Sequence, residues 1–187
     1  MTYHSKSTDE DLLAGCRTGD RIAQRHLYER YFSKGMGICM RYTGSREEAL
    51  EVVNQAFLKV FQNLDKYQPT GTLASWIARI AFNTAMDHLR SQQTYRKVIH
   101  FPESHERGID DDVLPHLEAE YLYRMIQELT TASRSVFSLY VIEGYRHKDI
   151  GEMLGMDEST SRWHLAQARK TLQARIVKEH LIREPRS

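Results

Sequence analysis

The sequence has few cysteines and prolines, no long apolar run and no clear alternation of apolar and polar residues. Cys16 and Cys39 form no CxxC pair, and we interpret both as small packing residues in a reducing compartment. No apolar run approaches the length of a membrane span, and Met1 to Ser7 is polar, unlike a signal peptide. These absences argue against a disulfide-rich scaffold and against membrane insertion, and they predict a cytoplasmic location.

An excess of charge of either sign is also absent. The 187 residues include 26 basic and 25 acidic ones, for a formal net charge of +1. A general cationic coat is thereby excluded, and any nucleic-acid surface must come from local clustering. Leu, Ala, Glu, Gln, Arg and Lys fill the regular stretches, which favours helix over strand. With 41% hydrophobic residues, we predict an all-α protein of one or two small domains.

Helical patterns fill the first half of the chain. The first predicted helix is Asp9 to Cys16, and the next carries an apolar stripe at four-residue spacing: Ala23, Leu27 and Tyr31. A third helix, Arg46 to Leu64, starts with Ser45 and Glu48 in a capping box. Its predicted buried residues are Val53, Phe57, Val60, Phe61 and Leu64. After a loop, a fourth helix is predicted over Leu73 to Arg90.

The helical period disappears between Arg96 and Pro115. Pro102, Gly108 and the acidic run Asp110-Asp111-Asp112 lie in this stretch, which is the composition of a linker. We therefore place a boundary between two helical domains here.

The last third of the sequence has the layout of a compact helical array. One amphipathic face comprises Leu122, Met125, Ile126 and Leu129. A second comprises Val136, Phe137, Tyr140 and Val141. A short helix is predicted over His147 to Leu154, with Gly155 as its C-cap, and Asp157 or Ser159 can cap the final helix. A short helix, a glycine-containing turn and a longer helix are typical of a helix-turn-helix.

The final helix has one face suited to packing and another suited to binding. At about 100° per residue, the packing face comprises Ser161, Leu165, Ala168 and Leu172. The outward face comprises Ser159, Arg162, Trp163, Ala166, Gln167 and Lys170. From Thr160 to Lys178 there are basic side chains and no acidic one. Such one-sided charge suits the neutralisation of phosphates, which predicts a DNA-binding face.

More ordinary interpretations of this helix remain open. Its basic residues can form a solvated surface without a ligand. Trp163 can pack onto the chain's own C-terminal tail, although an outward tryptophan otherwise exposes a large apolar area.

A second polar row lies on the helix from Leu73 to Arg90. Its members follow one another at three- and four-residue steps: Trp76, Arg79, Asn83, Asp87 and Arg90. An aromatic ring beside Arg and Asn suits bases pulled out of a duplex, because stacking and edge hydrogen bonds are both available. In the alternative interpretation, Trp76 belongs to the core and Asp87 pairs with an arginine of the same helix.

The preceding helix also has a face opposite its core. This face comprises Glu47, Glu51, Gln55, Leu58 and Gln62. Leu58 is either an ordinary exposed leucine or the anchor of a protein contact, and spacing alone leaves both interpretations open.

Catalytic and metal-binding motifs are missing. The sequence contains no GxxxxGK[ST], HExxH, GxSxG or GxGxxG motif, and His100, His105 and His116 lack metal-ligand spacing. We therefore expect no enzyme activity, no cofactor and no metal. A conventional helix-turn-helix repressor or activator is an alternative, but the first half shows no signature of a ligand pocket.

Two long segments resemble extracytoplasmic-function (ECF) sigma factors of the sigma-70 family. Their second region is similar to EEALEVVNQAFLKVFQNLDKYQPTGTLASWIARIAFNTAMDHLR, and their fourth region to LTTASRSVFSLYVIEGYRHKDIGEMLGMDESTSRWHLAQARKTL. The two segments stand in the family's order, at residues 47–90 and 129–172. The form VNQAFLKVF resembles versions from the Bacteroidetes-type branch.

The resemblance implies two domains and a set of roles. Residues 8–92 correspond to the domain that binds core RNA polymerase and the −10 element, residues 93–118 to a flexible linker, and residues 119–180 to the helix-turn-helix that reads the −35 element. Contact with the β′ clamp helices is implied for Glu51, Asn54, Gln55 and Leu58. Reading and opening of the −10 element is implied for Lys66, Trp76, Arg79, Asn83, Asp87 and Arg90.

For the −35 element, the resemblance adds Thr160 to the outward face of the final helix. Trp163 and Gln167 depart from the residues that are frequent at these positions in the family, so we expect an atypical −35 preference. The implied partners are promoter DNA, core RNA polymerase through its β′ clamp helices and β flap, and an anti-sigma factor or other regulator.

Overall fold

Helices form all the regular structure in the described part of the chain. The computed structural model describes residues 3–68, 71–99 and 114–183, with side chains at residues 3–68, 71–92 and 121–177. No strand occurs among these residues, which confirms the predicted all-α class. The chain divides into two compact units, Met1–Asp110 and Asp111–Ser187.

Each unit is a small set of packed helices. The first contains α1 (Asp9–Arg17), α2 (Arg21–Met40), α3 (Arg46–Gln62) and α4 (Leu73–Ile99), with a 3₁₀ turn at Leu64–Lys66. The second contains α5 (Leu114–Gln127), α6 (Thr131–Phe137), α7 (His147–Leu154) and α8 (Glu158–Arg183). A π-helical turn, Ser138–Ile142, continues α6.

The start of α3 differs in one detail from the predicted capping box. The Ser45 hydroxyl accepts from the Glu48 amide at 3.2 Å, as predicted. The Glu48 carboxylate, however, accepts from the amide of Gly44 instead of that of Ser45. Its other oxygen is 2.8 Å from the His88 ring on α4, so the carboxylate links the start of α3 to α4.

The core of the first unit matches the predicted apolar pattern. Buried members of the predicted stripes are Ala23, Leu27, Tyr31, Val53, Phe57, Val60 and Leu64. Phe61 is half-buried at the edge. Gly35 allows α2 and α3 to approach closely, because a Cβ there would lie 2.9 Å from a Val53 methyl carbon.

The end of α4 was predicted too early. The helix continues past Arg90 to Ile99, so the predicted loss of helix at Arg96 is wrong for residues 96–99. Residues 91–99 contain no glycine or proline that would end the helix. The absence of an apolar stripe means that this segment has no face to bury, but its backbone hydrogen bonds can still form. α5 already begins at Leu114, with Pro115 in its first turn, where proline is tolerated. The remainder of the predicted linker, residues 100–113, lies outside the described residues.

The second unit has a smaller core, and three residues that were predicted to lie on apolar faces are exposed. Its buried apolar residues include Met125, Leu129, Val136, Leu139, Ile150, Leu165 and Ala168. The predicted faces are wrong for Leu122, Tyr140 and Val141, which are 54%, 36% and 48% exposed. The π-helical turn explains the last two, because the Glu143 amide donates to the Ser138 carbonyl oxygen at 3.0 Å and the wider turn shifts the phase of its side chains.

The turn between α7 and α8 agrees with the sequence prediction. α7 has the predicted bounds, and Gly155 ends it with φ 67° and ψ 39°. This left-handed conformation is the one that glycine adopts most readily, so the turn is determined locally.

Candidate nucleic-acid interface

The beginning of α8 is fixed by one carboxylate. Asp157 accepts hydrogen bonds from the Ser159 hydroxyl at 2.6 Å, the Thr160 amide at 2.7 Å and the Thr160 hydroxyl at 3.0 Å. These donors lower the pKa of Asp157 to about 2, with the Ser159 hydroxyl making the largest contribution. Of the two predicted caps, Asp157 is therefore the N-cap, and it orders the first turn of α8.

α8 turns the predicted outward face to solvent. The side buried against the other helices comprises Ser161, Leu165 and Ala168. The exposed residues of the outward face are Ser159, Arg162, Trp163, Ala166 and Lys170. Gln167 and Thr160 are half-buried, and the Thr160 hydroxyl points to Asp157. Leu172, which was predicted on the packing face, is also half-buried. The burial of the other residues agrees with the predicted orientation, while the DNA contacts themselves stay predictions.

Carboxylates engage two of the basic residues on α8. Arg162 forms an ion pair with Glu158 one turn earlier, at the exposed surface. Arg175 forms an ion pair with Glu128, which directly follows α5. Glu158 lies just before the acid-free stretch from Thr160 to Lys178, and its carboxylate reduces the positive charge beside the outward face. Glu158 therefore competes with any phosphate or base for one guanidinium nitrogen of Arg162, whereas Lys170 lies exposed further along the helix.

Trp163 is the largest apolar side chain on the outward face. It is 57% exposed, and its ring meets the neighbouring His164 ring edge-on, with 4.9 Å between centroids. The alternative packing of Trp163 on the end of the chain concerns residues 184–187, which lie outside the described residues. The indole surface that remains exposed is available to a thymine methyl group or another apolar surface.

The polar row on α4 is exposed except at its aromatic member. Arg79, Asn83, Asp87 and Arg90 are exposed, and Lys66 is exposed in the 3₁₀ turn before the helix. The Asp87 carboxylate lies 3.6 Å from Arg90 and 3.7 Å from Lys59 of α3. The pairing with Arg90 agrees with the structural alternative considered for this row, and Lys59 is a partner that the sequence did not predict.

Trp76 lies half-buried at the beginning of the same row. Its ring is tilted against Tyr67, with 5.3 Å between centroids. The Tyr67 hydroxyl donates to the Gly71 carbonyl oxygen at 2.9 Å, which ties together the two ends of the loop before α4. The two rings form an aromatic platform, and Arg79 is exposed one turn after Trp76 on α4. Such a combination suits stacking of an unpaired base.

The outer face of α3 combines polar groups with apolar ones. Glu51, Asn54, Gln55 and Leu58 are all exposed, as predicted. Leu58 is 57% exposed and Leu50 is 43% exposed. The Tyr28 hydroxyl of α2 donates to the Asn54 side-chain oxygen at 2.8 Å. Leu50 is not among the residues predicted for this face, although its spacing of four residues from Asn54 and eight from Leu58 places all three along one side of the helix.

A second exposed apolar group lies at the end of α6. The π-helical turn exposes Tyr140, Val141 and Ile142 by 36%, 48% and 45%. No periodic pattern in the sequence distinguishes this group from core residues, because an apolar run is compatible with either placement.

The described residues contain neither a cluster of metal ligands nor a helix that could span a membrane. No cluster of three His, Cys, Asp or Glu side chains in this part of the chain could hold a metal ion. None of the described helices is long and apolar enough to cross a membrane. The side chains of His100, His105 and His116 lie outside the described part.

Comparison with known proteins links both units to one family. Residues 27–95 match the family model Sigma-70 region 2, and residues 119–172 match Sigma-70, region 4. An ECF RNA polymerase sigma-E factor of Haemophilus influenzae is 26% identical over 90% of this chain and 95% of that protein. The RNA polymerase sigma-H factor of Pseudomonas aeruginosa is also 26% identical, over 96% of this chain and 98% of that protein.

A solved structure has a similar fold. The sigma factor RpoE of Bartonella quintana, in complex with the anti-sigma factor NepR, superimposes with a TM-score of 0.63. The sequences are 16% identical, and the match covers 80% of this chain and 94% of that one. The first matched region lies in the first helical unit and the second lies in the second unit, in the family's order. The chain therefore belongs to the ECF branch of the sigma-70 family, whose members direct RNA polymerase to initiate transcription at promoters.

Proposed function

We propose that the two units divide promoter recognition between them. Residues 8–92 bind core RNA polymerase and read and open the −10 element, and residues 119–180 read the −35 element. The observation that carries this proposal is the exposed face of α8, where Arg162, Trp163 and Lys170 lie together on the second helix of a helix-turn-helix.

Reading of the −35 element is supported by the chemistry of this face. Arg162 can make a bidentate contact to guanine, and the exposed ring of Trp163 can cover a thymine methyl group. Lys170 lies two turns further along and is suited to a phosphate. Ser159, Thr160, Ala166 and Gln167 complete the proposed contact surface, with Ala166 leaving room for the close approach of a base.

Reading and opening of the −10 element is assigned to α4 and the loop before it. The Tyr67–Trp76 platform offers stacking to a base that has left the duplex. Arg79 and Asn83 lie exposed on the next turns and offer edge hydrogen bonds. Lys66 and Arg90 provide positive charge on either side, and Asp87 orients two of the basic groups of this surface.

Core polymerase is assigned to the outer face of α3. Leu58, together with Leu50, is an apolar anchor surrounded by Glu51, Asn54 and Gln55, as in many protein contacts that combine an apolar centre with a polar rim. We assign this face to the β′ clamp helices. The exposed run Tyr140–Ile142 is the proposed contact for the β flap.

An anti-sigma factor or another regulator is a further proposed partner. The sigma factor RpoE of Bartonella quintana, which shares the fold, was solved in complex with an anti-sigma factor. Such a regulator would act by covering the α3 or α8 surfaces that the polymerase and promoter need.

Transcription in vitro tests the proposed function. The purified chain is added to core polymerase on a library of promoter fragments, and transcripts are sequenced. We expect specific start sites only when both proteins are present, with selected bases near −35 and −10. DNA binding that does not require the polymerase, without specific transcripts, would instead identify a conventional helix-turn-helix regulator.

A further inference from the structure

Two hydrogen bonds between histidine and serine attach α8 to the helices beneath it. The Ser161 hydroxyl, on a side chain that is 0% exposed, is 2.9 Å from Nδ1 of His147 on α7. The His164 Nδ1, three residues along α8, is 3.1 Å from the hydroxyl of Ser133 on α6. One bond therefore fixes α8 against α7 and the other fixes it against α6.

The His147 ring is itself held in place. It stacks on the Tyr140 ring, with 4.4 Å between centroids and 22° between planes. Burial lowers the pKa of His147, and the charges of Arg162 and Arg169 lower it further against the opposing effect of Glu158. A neutral, immobilised imidazole has a defined ring nitrogen to offer the Ser161 hydroxyl.

The positions of these residues alternate with the proposed reading residues. Ser161 and His164 point toward the other helices, and Arg162 and Trp163, which stand between them in the sequence, point outward. Among the described side chains, the buried apolar residues of α8 are Leu165 and the small Ala168. Leu172 is half-buried, and Arg169 and Arg175 contact Tyr140 and Glu128 from the rim of the helix. Apolar contacts are non-directional and tolerate a small rotation of the helix about its axis, whereas hydrogen bonds have narrow distance and angle limits.

A small rotation of α8 would matter for base reading. At the radius of about 5–6 Å that side chains give a helix, a roll of about 20° moves a side-chain tip by about 2 Å. Such a displacement exceeds the tolerance of a hydrogen bond to a base edge. The groups that set the roll of α8 therefore also set which bases Arg162 and Trp163 can reach.

We propose that His147 and Ser161, supported by His164 and Ser133, are positioning residues that determine −35 specificity by fixing the roll of α8. This inference rests on the proposed function of α8 in reading DNA. Its distinguishing consequence is a loss of discrimination between bases that is larger than the loss of general DNA affinity. A purely structural role would weaken binding to all sequences alike.

The first test compares buried serines of the same unit. Ser161→Ala and Ser133→Ala each remove one hydroxyl of the two bonds. Ser138→Ala is the matched control, because Ser138 is 1% exposed and its hydroxyl has no hydrogen-bond partner among the described residues. Holoenzyme made with the full chain is measured on promoters that carry each single-base change in the −35 element, and thermal unfolding of each variant is followed.

We expect Ser161→Ala to reduce the preference for the best −35 base by about 3- to 10-fold, which is part of the discrimination that a base-edge contact provides. Ser133→Ala should have a smaller effect in the same direction, and Ser138→Ala should leave the base profile unchanged. Equal weakening across all sequences, or a Ser161→Ala profile identical to that of Ser138→Ala, would overturn the proposal.

The second test separates the hydrogen bond from the ring stack. His147→Asn keeps a hydrogen-bonding atom near the place of Nδ1, and His147→Phe keeps the stack on Tyr140. We expect discrimination to be largely retained in His147→Asn and reduced in His147→Phe, and the reverse order would overturn the assignment. This pair also decides the question if Ser161→Ala fails to fold.

The outcomes distinguish this inference from the function on which it rests. If Arg162→Ala and Trp163→Ala leave the −35 base profile unchanged, α8 does not read the promoter and the proposed function fails. If those two variants flatten the profile but Ser161→Ala and His147→Phe do not, the proposed function stands and the positioning role alone is wrong.

Discussion

The residues on the outward face of α8 are expected to make two kinds of DNA contact, one that discriminates between bases and one that adds affinity for any sequence. Arg162→Ala and Trp163→Ala should each flatten the preference at one or two −35 positions, because base-edge contacts are worth about 1–3 kcal/mol of discrimination. Their effect on salt dependence should be small. Lys170→Ala should instead weaken binding to all sequences alike and lower the salt slope by about one. Holoenzyme binding to single-base −35 variants at several salt concentrations measures both effects.

The ion pair between Arg162 and Glu158 provides a control for this prediction. Glu158→Gln removes a competitor of DNA for the guanidinium, so promoter affinity should stay equal or rise. If Arg162→Ala and Trp163→Ala both preserve the base profile, the reading face has been misassigned, and Trp163 has a role in the protein's own packing.

The N-cap of α8 gives a prediction about pH. The pKa of Asp157 is lowered from 3.8 to about 2, so its carboxylate stabilises the folded unit fully above pH 3.8. This contribution is lost as the pH falls through about 2. In thermal unfolding followed by circular dichroism, the difference in midpoint between the wild type and Asp157→Ala should therefore be largest above pH 4 and shrink toward pH 2. A difference that is constant over this range would contradict the assigned role of the charge.

At the scale of single residues, helical periodicity predicts which side chains are exposed, but it does not predict which side chains form ion pairs. The outward orientation of Arg162, Trp163 and Lys170 follows from helical periodicity alone. The contact between Lys59 and Asp87 does not follow from periodicity. The two residues are on different helices and meet only through the packing of α3 on α4.

At the scale of the helix, α3 offers the clearest surface for mutation. Leu58→Asp should weaken binding to core polymerase by roughly tenfold or more, since about 1.5–3 kcal/mol is typical for burying a leucine side chain. The fold should survive, because Leu58 is exposed while Val53, Phe57 and Val60 point to the core. Binding of labelled variants to core polymerase measures the effect, and circular dichroism checks the fold.

Ile22→Asp is the matched control for Leu58→Asp. Ile22 is 53% exposed at the start of α2, close to the 57% of Leu58, and it lies outside the proposed docking face. Equal losses of polymerase binding in both variants would show a general effect of the new charge, and unchanged binding in Leu58→Asp would contradict the docking face.

Helix boundaries were predictable where the sequence carries a specific cap. Gly155 and Asp157 bracket the turn before α8, and both act on atoms within a few residues. The end of α4 was missed because nothing in residues 91–99 breaks a helix. The π-helical turn Ser138–Ile142 was missed because its apolar residues suit a regular helix equally well.

At the scale of the whole molecule, the division into two units gives a prediction for proteolysis. Arg107 is the only lysine or arginine between residues 100 and 113, close to the boundary between the units at Asp110 and Asp111. Limited trypsin digestion should cut first after Arg107 and leave two helical fragments, residues 1–107 and 108–187. Mass spectrometry identifies the fragments, and Arg107→Gln should delay the first cut. First cuts within residues 9–68 would contradict two separately stable units.

The sequence by itself determined the all-α class, the capped turn of the helix-turn-helix, the outward face of α8 and the family. These properties depend on residues within about four positions of one another, or on the order of motifs, which can be read along the chain. Only the tertiary structure decided that Tyr140 and Val141 are exposed, that Glu128 engages Arg175, and that His147 meets Ser161. Each of these depends on how separate helices pack or on a local shift of helical phase, because contacts between elements are set by the fit of whole surfaces.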